Sequence, residues 1–375
     1  MTKHAVAKEV IIYGGGIAGI MLAKQLSDSV NVTLVDPNAY FEIPMATPRS
    51  LVTPEFAKKA IIPFSEAVPK ARHIQGKLIQ LSQADGLVQL HDGQQIKLQG
   101  NVTVLATGNT FSNPLMRAFE SSAQERQNFY VRYSQQLETS THILIVGGGP
   151  IGVEVAGEIT ESYPEKLVTI LESGPRLLSG TTAAASQAAA VELTNRGVTV
   201  IVDEKLVSAD SQPTEVFTSP GIAITSRGRK IAYDLIIWCI GGKPNTSYMN
   251  PYLSSALNHQ NRIKVSPKLR VADYQTVFAL GDITDLDENK MAWHIEGQVK
   301  KAEYNIRQVL AGHTEDQHLK TYKAQTGNPK MAVTLGTQQG VLYLPVIGVI
   351  TCPALTSIAK SSHMLVPKFR KALDV

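Results

Sequence analysis

Two glycine-rich loops, each between a hydrophobic strand and a helix, constrain the fold of this chain more than any other feature of its sequence. The first lies in VIIYGGGIAGIMLA near the start, and the second lies in HILIVGGGPIGVEVAGEI near the middle. In both, the glycines recur as G-x-G-x-x-G, the spacing of a loop that carries a dinucleotide pyrophosphate at a helix N-terminus. The sequence therefore predicts two dinucleotide-binding units.

The three glycines of the first loop have separate tasks. Gly14 permits the tight turn, Gly16 lets the backbone approach a pyrophosphate, and Gly19 lets the helix pack closely on the strand. The next strand, NVTLVD, ends in Asp36, which is placed to accept a hydrogen bond from a ribose hydroxyl. Strand, helix, second strand and terminal acid are all present, so a plain turn is the weaker interpretation.

The second loop repeats every part of the first. Its glycines are Gly147, Gly149 and Gly152, and the following strand, LVTILE, ends in Glu172. A carboxylate at that strand end binds the 2′-hydroxyl of NADH and repels the 2′-phosphate of NADPH. Arg176 is close enough in sequence to weaken this discrimination, so NADH is predicted and NADPH stays an alternative.

Two further strands end in short polar motifs. NVTVLATG ends in Ala106, Thr107 and Gly108, and QTVFALGD ends in Gly281 and Asp282. With the first glycine loop, these motifs resemble the flavin-binding signatures of two-dinucleotide flavoprotein reductases. The resemblance implies that the first unit binds FAD, that Asp282 contacts its ribityl chain, and that the second unit delivers a nicotinamide.

These motifs predict an α/β fold with two Rossmann-like, three-layer ββα domains, the NADH domain inserted in the FAD domain, and a small C-terminal α+β region. A chain of 375 residues is longer than a single core usually supports. The expected divisions are an FAD-binding domain in two parts (1–110 and 243–313), a connecting segment (111–137), an NAD(P)H-binding domain (138–242) and a C-terminal interface or membrane-contact region (314–375).

Composition excludes several other classes. The net charge is only +4, aromatic residues are 6%, and no run of five or six Lys and Arg residues is present, which argues against nucleic-acid binding. The two cysteines, Cys239 and Cys352, are far apart, so neither a disulfide framework nor a metal site is indicated. The start lacks a signal peptide and no apolar run is long enough to span a membrane, so we expect a cytoplasmic location.

The stretch after the first acid, DPNAYFEIPMATPRSLV, contains no cysteine. Disulfide reductases of this kind carry a C-x4-C pair there, so the chain is not expected to reduce disulfides. A diffusible molecule or another protein must then take electrons from the flavin.

Nearly the whole chain resembles the ferroptosis-suppressor and apoptosis-inducing-factor-homologue group, relatives of type II NADH dehydrogenases. The resemblance rests on DPNAYFEI with PRSLV, VGGGPIGVEVAGEI, YPEKLVTILESGPRLL, and VFALGDITDL with KMAWH. Members of this group are FAD enzymes that use NAD(P)H to reduce quinones at membrane surfaces. The resemblance therefore implies an FAD-dependent NAD(P)H:quinone oxidoreductase.

The same resemblance implies roles for five further residues. Arg49 would lie near the FAD phosphates, and Glu154 would lie at the junction of nicotinamide and flavin. Lys290, Met291 and Ala292 would approach the flavin at the start of a long helix. Glu154 and Lys290 are the candidate catalytic residues. The alternatives are an ion pair for Arg49, a helix N-terminal acid for Glu154, and a solvated side chain for Lys290.

Two other functions remain open: a reductase for a ferredoxin- or rubredoxin-type partner, and an NADH-responsive interaction or sensor protein. The C-terminal stretch GVLYLPVIGVITCPALTSIAKSSHMLVPKFRKAL joins apolar residues to the cations Lys360, Lys368, Arg370 and Lys371. This composition suits a peripheral contact with the inner face of a membrane, or equally the interface of a homodimer.

Overall fold

The computed structural model describes residues 8–82, 85–111, 113, 115, 120–327 and 330–375. Its strands, in chain order, are β1 (Glu9–Tyr13), β2 (Asn31–Asp36), β3 (Tyr40–Glu42), β4 (Ile61–Pro63), β5 (Arg72–Ser82), β6 (Asp85–Leu90), β7 (Gln95–Gln99), β8 (Val102–Leu105), β9 (Asn109–Thr110), β10 (His142–Val146), β11 (Leu167–Leu171), β12 (Thr199–Ile201), β13 (Leu206–Ala209), β14 (Gly221–Thr225), β15 (Lys230–Tyr233), β16 (Leu235–Trp238), β17 (Lys243–Pro244), β18 (Val277–Ala279), β19 (Met331–Leu335), β20 (Gln339–Leu344) and β21 (Gly348–Ile350). Its α-helices are α1 (Ile17–Leu26), α2 (Thr47–Val52), α3 (Pro54–Ala60), α4 (Phe64–Ala67), α5 (Ala123–Thr139), α6 (Pro150–Ser162), α7 (Ala183–Asn195), α8 (Ala292–Ala311), α9 (Pro353–Thr356) and α10 (Val366–Leu373).

The first sheet has the order β18-β8-β1-β2-β5-β6-β7. The pairs from β18 to β5 are parallel, whereas β5, β6 and β7 form an antiparallel meander. Alternate residues of β1 face opposite layers: Ile12 packs in the core beneath α1 and α8, and Tyr13 packs in a separate core with Met249. Because both faces are covered, β1 reads as a continuous hydrophobic run.

The second sheet is fully parallel, with the order β12-β11-β10-β16. Helices α6 and α7 cover one face, and the antiparallel sheet β13-β14-β15 covers the other. Each unit therefore has three layers, which confirms the predicted α/β class with two Rossmann-like domains. The strands of the second unit lie between β9 and β17 in the chain, and these two short strands pair with each other.

The C-terminal region consists of the antiparallel sheet β19-β20-β21 followed by short helices. This sheet packs directly on α6, where a Cβ added at Gly157 would lie 2.6 Å from the Leu335 Cα. The chain end thus covers the helix that follows the second glycine loop. Among the helices described, none is both long enough and apolar enough to cross a membrane.

Candidate functional site

Both glycine loops are built in the same way. Gly14 and Gly147 have φ angles of +104° and +110°, in the left-handed region that favours glycine. A Cβ added at Gly19 would lie 1.8 Å from the Gly14 carbonyl oxygen, and one at Gly152 would lie 1.9 Å from that of Gly147. The first and third glycines of each loop are therefore required by the protein's own packing.

The middle glycines differ from the others. No atom described in the structure lies within 4 Å of a Cβ added at Gly16 or Gly149. Each is the residue before the first turn of its helix, α1 or α6, and each has a φ angle near −70° that any residue adopts. The protein's own packing therefore does not require glycine at these two positions. The open space is a place where a ligand's phosphates can approach the backbone.

A cleft runs from the first glycine loop to the start of α8. Its lining includes eight of the residues predicted from sequence to hold FAD: Gly14, Gly16, Asp36, Ala106, Thr107, Gly108, Gly281 and Asp282. The sheet brings these residues together because they follow the carboxyl ends of four neighbouring parallel strands, β1, β2, β8 and β18.

The two terminal acids hold their own glycine loops. Asp36 accepts hydrogen bonds from the backbone N–H of Gly15 at 2.6 Å and of Asn38 at 2.9 Å. Glu172 accepts from the N–H of Gly148 and of Gly174, both at 2.6 Å. Burial raises the pKa of the Asp36 carboxyl to about 6, although the two N–H donors act in the opposite direction.

Asp282 and Asn109 face each other at the far end of the cleft. The Asn109 amide donates to Asp282 Oδ2 at 3.0 Å, and burial raises the pKa of that carboxyl while Lys290 and Arg262 oppose the shift. The Asn109 Oδ1 atom is buried and has no hydrogen-bond partner among the described residues. An orphaned buried acceptor beside an acid calls for a ligand with hydroxyl or N–H donors. The ribityl chain and ring of FAD supply such donors, so these residues fit that cofactor.

One wall of the cleft was not predicted from sequence. It is formed by Tyr40, Phe41, Glu42, Pro44 and Thr47. Glu42 accepts hydrogen bonds from Arg126 Nε, at 3.0 Å, and from the Tyr130 hydroxyl, both on the buried side of α5. The available signal was position alone: these residues follow Asp36 where related enzymes carry their cysteine pair.

Arg49 forms a buried ion pair with Glu158. Its guanidinium donates to Glu158 of α6 through Nε at 3.0 Å and a terminal nitrogen at 2.7 Å, and both side chains are at most 5% exposed. Among the residues described as lining the cleft, Arg49 does not occur. The pair is buried rather than at the surface and joins α2, in the first unit, to α6, in the second. Burial raises the pKa of the Glu158 carboxyl, and Arg49 opposes that shift.

Glu154 is held by the C-terminal region. It lies in the second turn of α6 and is 4% exposed. Its Oε1 atom accepts from the Thr334 N–H at 3.0 Å and from the Lys360 ammonium. Lys360 is itself 8% exposed and was missed by sequence reasoning, which treated it as one of several surface cations. The pair joins residues 206 positions apart in the chain, so sequence carried no signal for it.

The residues before α8 lie beside the cleft. Met291 precedes the first residue of α8, Ala292, and packs against the hydrophobic core that contains Val153 and Val333. Lys290 lines a neighbouring polar cavity with Arg262, and its ammonium donates to the Leu286 carbonyl at 2.9 Å. Burial and Arg262 lower the pKa of Lys290, whereas Asp282 acts in the opposite direction.

Arg176 is fully engaged by its own loop. Its guanidinium donates to four backbone carbonyls, those of Leu178, Ser179, Thr181 and Thr182, at 2.8 to 3.5 Å. These bonds hold the loop that follows Glu172. A guanidinium committed in this way is not directed toward a nucleotide phosphate.

Several known proteins are similar to this chain in sequence or in fold. The family model described as pyridine nucleotide-disulphide oxidoreductase matches residues 8–308. The chain is 31% identical to apoptosis-inducing factor homolog B of Dictyostelium discoideum, over 98% of this chain and 97% of that protein. It is also 31% identical to ferroptosis suppressor protein 1 of Mus musculus, over 96% and 94%. Its fold resembles the structure of NDH2 from Plasmodium falciparum in complex with NADH, with a TM-score of 0.70, 15% identity, and coverage of 94% and 93%.

Proposed function

Because the chain belongs to the pyridine nucleotide-disulphide oxidoreductase family and uses FAD and NAD(P)H as that family does, we propose that it passes electrons from NADH through FAD to a quinone-like small acceptor. Resemblance to the ferroptosis-suppressor group supports this acceptor. In the proposed assignment, the cleft residues together with Gly19, Met291 and Ala292 form the FAD site. Gly147, Gly149, Gly152 and Glu172 form the NADH site.

The observation that carries the proposal is the composition of the cleft wall. The segment from Tyr40 to Thr47 forms that wall and contains no thiol. Cys239 follows β16, and burial raises the pKa of its thiol to about 12, so it stays protonated and unreactive. This supports a direct transfer of electrons from the flavin to the acceptor. FAD accepts two electrons from a nicotinamide and returns them to an acceptor, and the protein's task is to place the reactants.

A screen of acceptors tests the proposal. The purified flavoprotein is expected to oxidise NADH rapidly with a soluble quinone analogue and slowly with oxygen. Reduction of a ferredoxin or rubredoxin without reduction of quinone would contradict it and favour the iron–sulfur partner instead. Formation of a stable NADH complex with no turnover would favour a sensor.

We predict that Glu172 selects NADH. Exchange of Glu172 for Gln removes the charge that repels a 2′-phosphate and keeps one of the two oxygens that accept from the loop. The ratio of kcat/KM for NADH to that for NADPH should fall about 10- to 100-fold, as expected for one bond to a charged group. Steady-state kinetics with both nucleotides checks this. Equal efficiencies in the wild type, unchanged by Glu172→Ala, would contradict it.

We further propose that the tip of the β20–β21 hairpin, Pro345–Ile347, contacts an anionic lipid surface. Val346 and Ile347 are 98% and 69% exposed, and the 21 residues from Gln339 to Ala359 carry no charged side chain. Met331 pairs with Tyr343, which brings Lys330 to the same end of the sheet as this tip.

Basic and aromatic groups adjoin the tip. The ammonium groups of Lys330 and Lys368 lie 5.3 and 5.9 Å from the ring of Trp293, in the first turn of α8. An apolar tip beside a Trp and two cations suits the interface of an anionic bilayer. A quinone dissolved in that bilayer would then meet the protein at the α8 end of the cleft.

A charged hairpin tip should detach the protein from lipid. Replacing both Val346 and Ile347 with Glu should lower binding to vesicles containing phosphatidylglycerol at least about tenfold, because burial of two such side chains is worth about 3 kcal/mol or more. Val207 is 67% exposed on β13, so Val207→Glu is the matched control. Unchanged vesicle binding of the double variant would contradict the lipid contact. So would a double variant that keeps its vesicle binding but no longer forms dimers.

A further inference from the structure

We propose that Glu288 is a positioning residue for the flavin site, because it fixes the Gln298 amide that holds the Gly281–Asp282 turn. The inference rests on the proposed FAD cleft but does not depend on the acceptor. Glu288 lies in the loop before α8, and its side chain is 1% exposed. Neither the sequence motifs nor the ion pairs described above give this buried carboxylate a task.

Four groups donate to the Glu288 carboxylate. His294 Nδ1 lies 2.8 Å from Oε2, the Tyr322 hydroxyl lies 2.8 Å from the same atom, and the Gln325 N–H lies 3.0 Å from it. Gln298 Nε2 lies 2.8 Å from Oε1. Burial raises the pKa of Glu288, but these hydrogen bonds outweigh it and hold the pKa below its usual range. The group is therefore an ionised, pure acceptor at neutral pH.

An ionised carboxylate decides which way the Gln298 amide points. Because Glu288 can only accept, Gln298 must turn its NH₂ toward it. The amide oxygen is then directed to the opposite side, where it accepts from the Gly281 N–H at 2.7 Å. If the amide were reversed, two N–H groups would face each other at Gly281.

The Gly281 N–H belongs to the turn that ends in Asp282. Gly281 has a φ angle of +78°, so the turn adopts a conformation that favours glycine. Both residues line the cleft, and Asp282 meets Asn109 there. The contacts from Glu288 through Gln298 to Gly281 thus fix the position of this turn in the cleft proposed for the flavin. Tyr322 and Gln325 tie the same carboxylate to the segment that leads into β19.

The test compares three variants in the full-length holoprotein. Glu288→Gln lets either amide orientation form. Tyr322→Phe removes one donor to Glu288 and the contact of that hydroxyl with the Gln298 side chain, but leaves the Gln298–Gly281 bond. The exchange Glu288→Gln with Gln298→Glu rebuilds the chain, since the amide introduced in the loop would donate to the carboxylate introduced on α8, which can only accept from Gly281. FAD dissociation constants, the flavin absorption bands and the flavin reduction potential are measured for each.

We expect Glu288→Gln to raise the FAD dissociation constant about five- to tenfold, as for loss of one hydrogen bond, and to shift the flavin absorption bands. Tyr322→Phe should leave both near wild type, and the exchange should restore both. Equal effects of Glu288→Gln and Tyr322→Phe would show a merely structural carboxylate and overturn the proposal. So would an exchange variant that binds FAD no better than Glu288→Gln alone. Neither outcome depends on quinone turnover.

Discussion

Replacing Lys360 with Met is expected to lower the free energy of unfolding by about 3–5 kcal/mol, because it leaves the Glu154 carboxylate buried and unpaired. Both side chains of the pair are at most 9% exposed. The backbone N–H of Thr334 alone cannot replace an ammonium group. Denaturation by urea in the presence of excess FAD measures the change.

Lys368 provides the matched control. It pairs with Glu296 at 3.2 Å, but both side chains are more than half exposed. Lys368→Met should therefore change stability by at most about 1 kcal/mol. Adding Glu154→Gln to Lys360→Met should recover most of the lost stability, since no charge is then left buried. A Lys360→Met variant as stable as Lys368→Met would contradict the pairing.

The pair also bears on catalysis. The resemblance implies a place for Glu154 at the junction of nicotinamide and flavin. Because Lys360 pairs with Glu154, the C-terminal region holds this side chain in position. Truncation after Gly340 would remove Lys360, so its effect on acceptor use could not be separated from an effect on flavin reduction by NADH.

Alanine at each of the two middle glycines should weaken the binding of one cofactor without unfolding the protein. At Gly149 the methyl group would enter the space proposed for a phosphate of NADH, so the dissociation constant for NADH should rise about 10- to 100-fold while FAD stays bound. Gly16→Ala should weaken FAD binding by a similar factor and leave NADH affinity unchanged. Isothermal titration with each nucleotide measures both.

Circular dichroism and thermal unfolding of the same variants provide the control. Both glycines have a φ angle close to −70°, so alanine adds no backbone strain. A Gly149→Ala protein that loses FAD, or a Gly16→Ala protein that loses only NADH affinity, would show that the loops have been assigned to the wrong cofactors.

The sequence predicted those parts of the molecule that depend on local chemistry. Gly14 and Gly147 adopt positive φ angles, which favour glycine, and Asp36 and Glu172 follow at the ends of the next strands. Such features leave a fixed spacing in the chain. Parallel strands with both faces covered leave continuous hydrophobic runs, which is why the fold class was also predicted.

Contacts between distant segments leave no such spacing. Arg49 was predicted to lie near the phosphates, but its ion pair with Glu158, 109 positions away on α6, was not predicted. Lys360 reaches Glu154 only because β19 packs on that same helix. In both cases packing between domains decides where a charged side chain points, and a motif read along one strand and one loop contains no information about it.

Anaerobic stopped-flow absorbance tests the central claim most directly. Mixing the FAD-bound protein with NADH should bleach the flavin band, and adding a quinone analogue should restore it much faster than oxygen does. NADPH should bleach the band far more slowly. If NADH bleaches the flavin but no quinone restores it faster than oxygen, the protein does not pass its electrons to a quinone-like acceptor, and the proposed function is wrong.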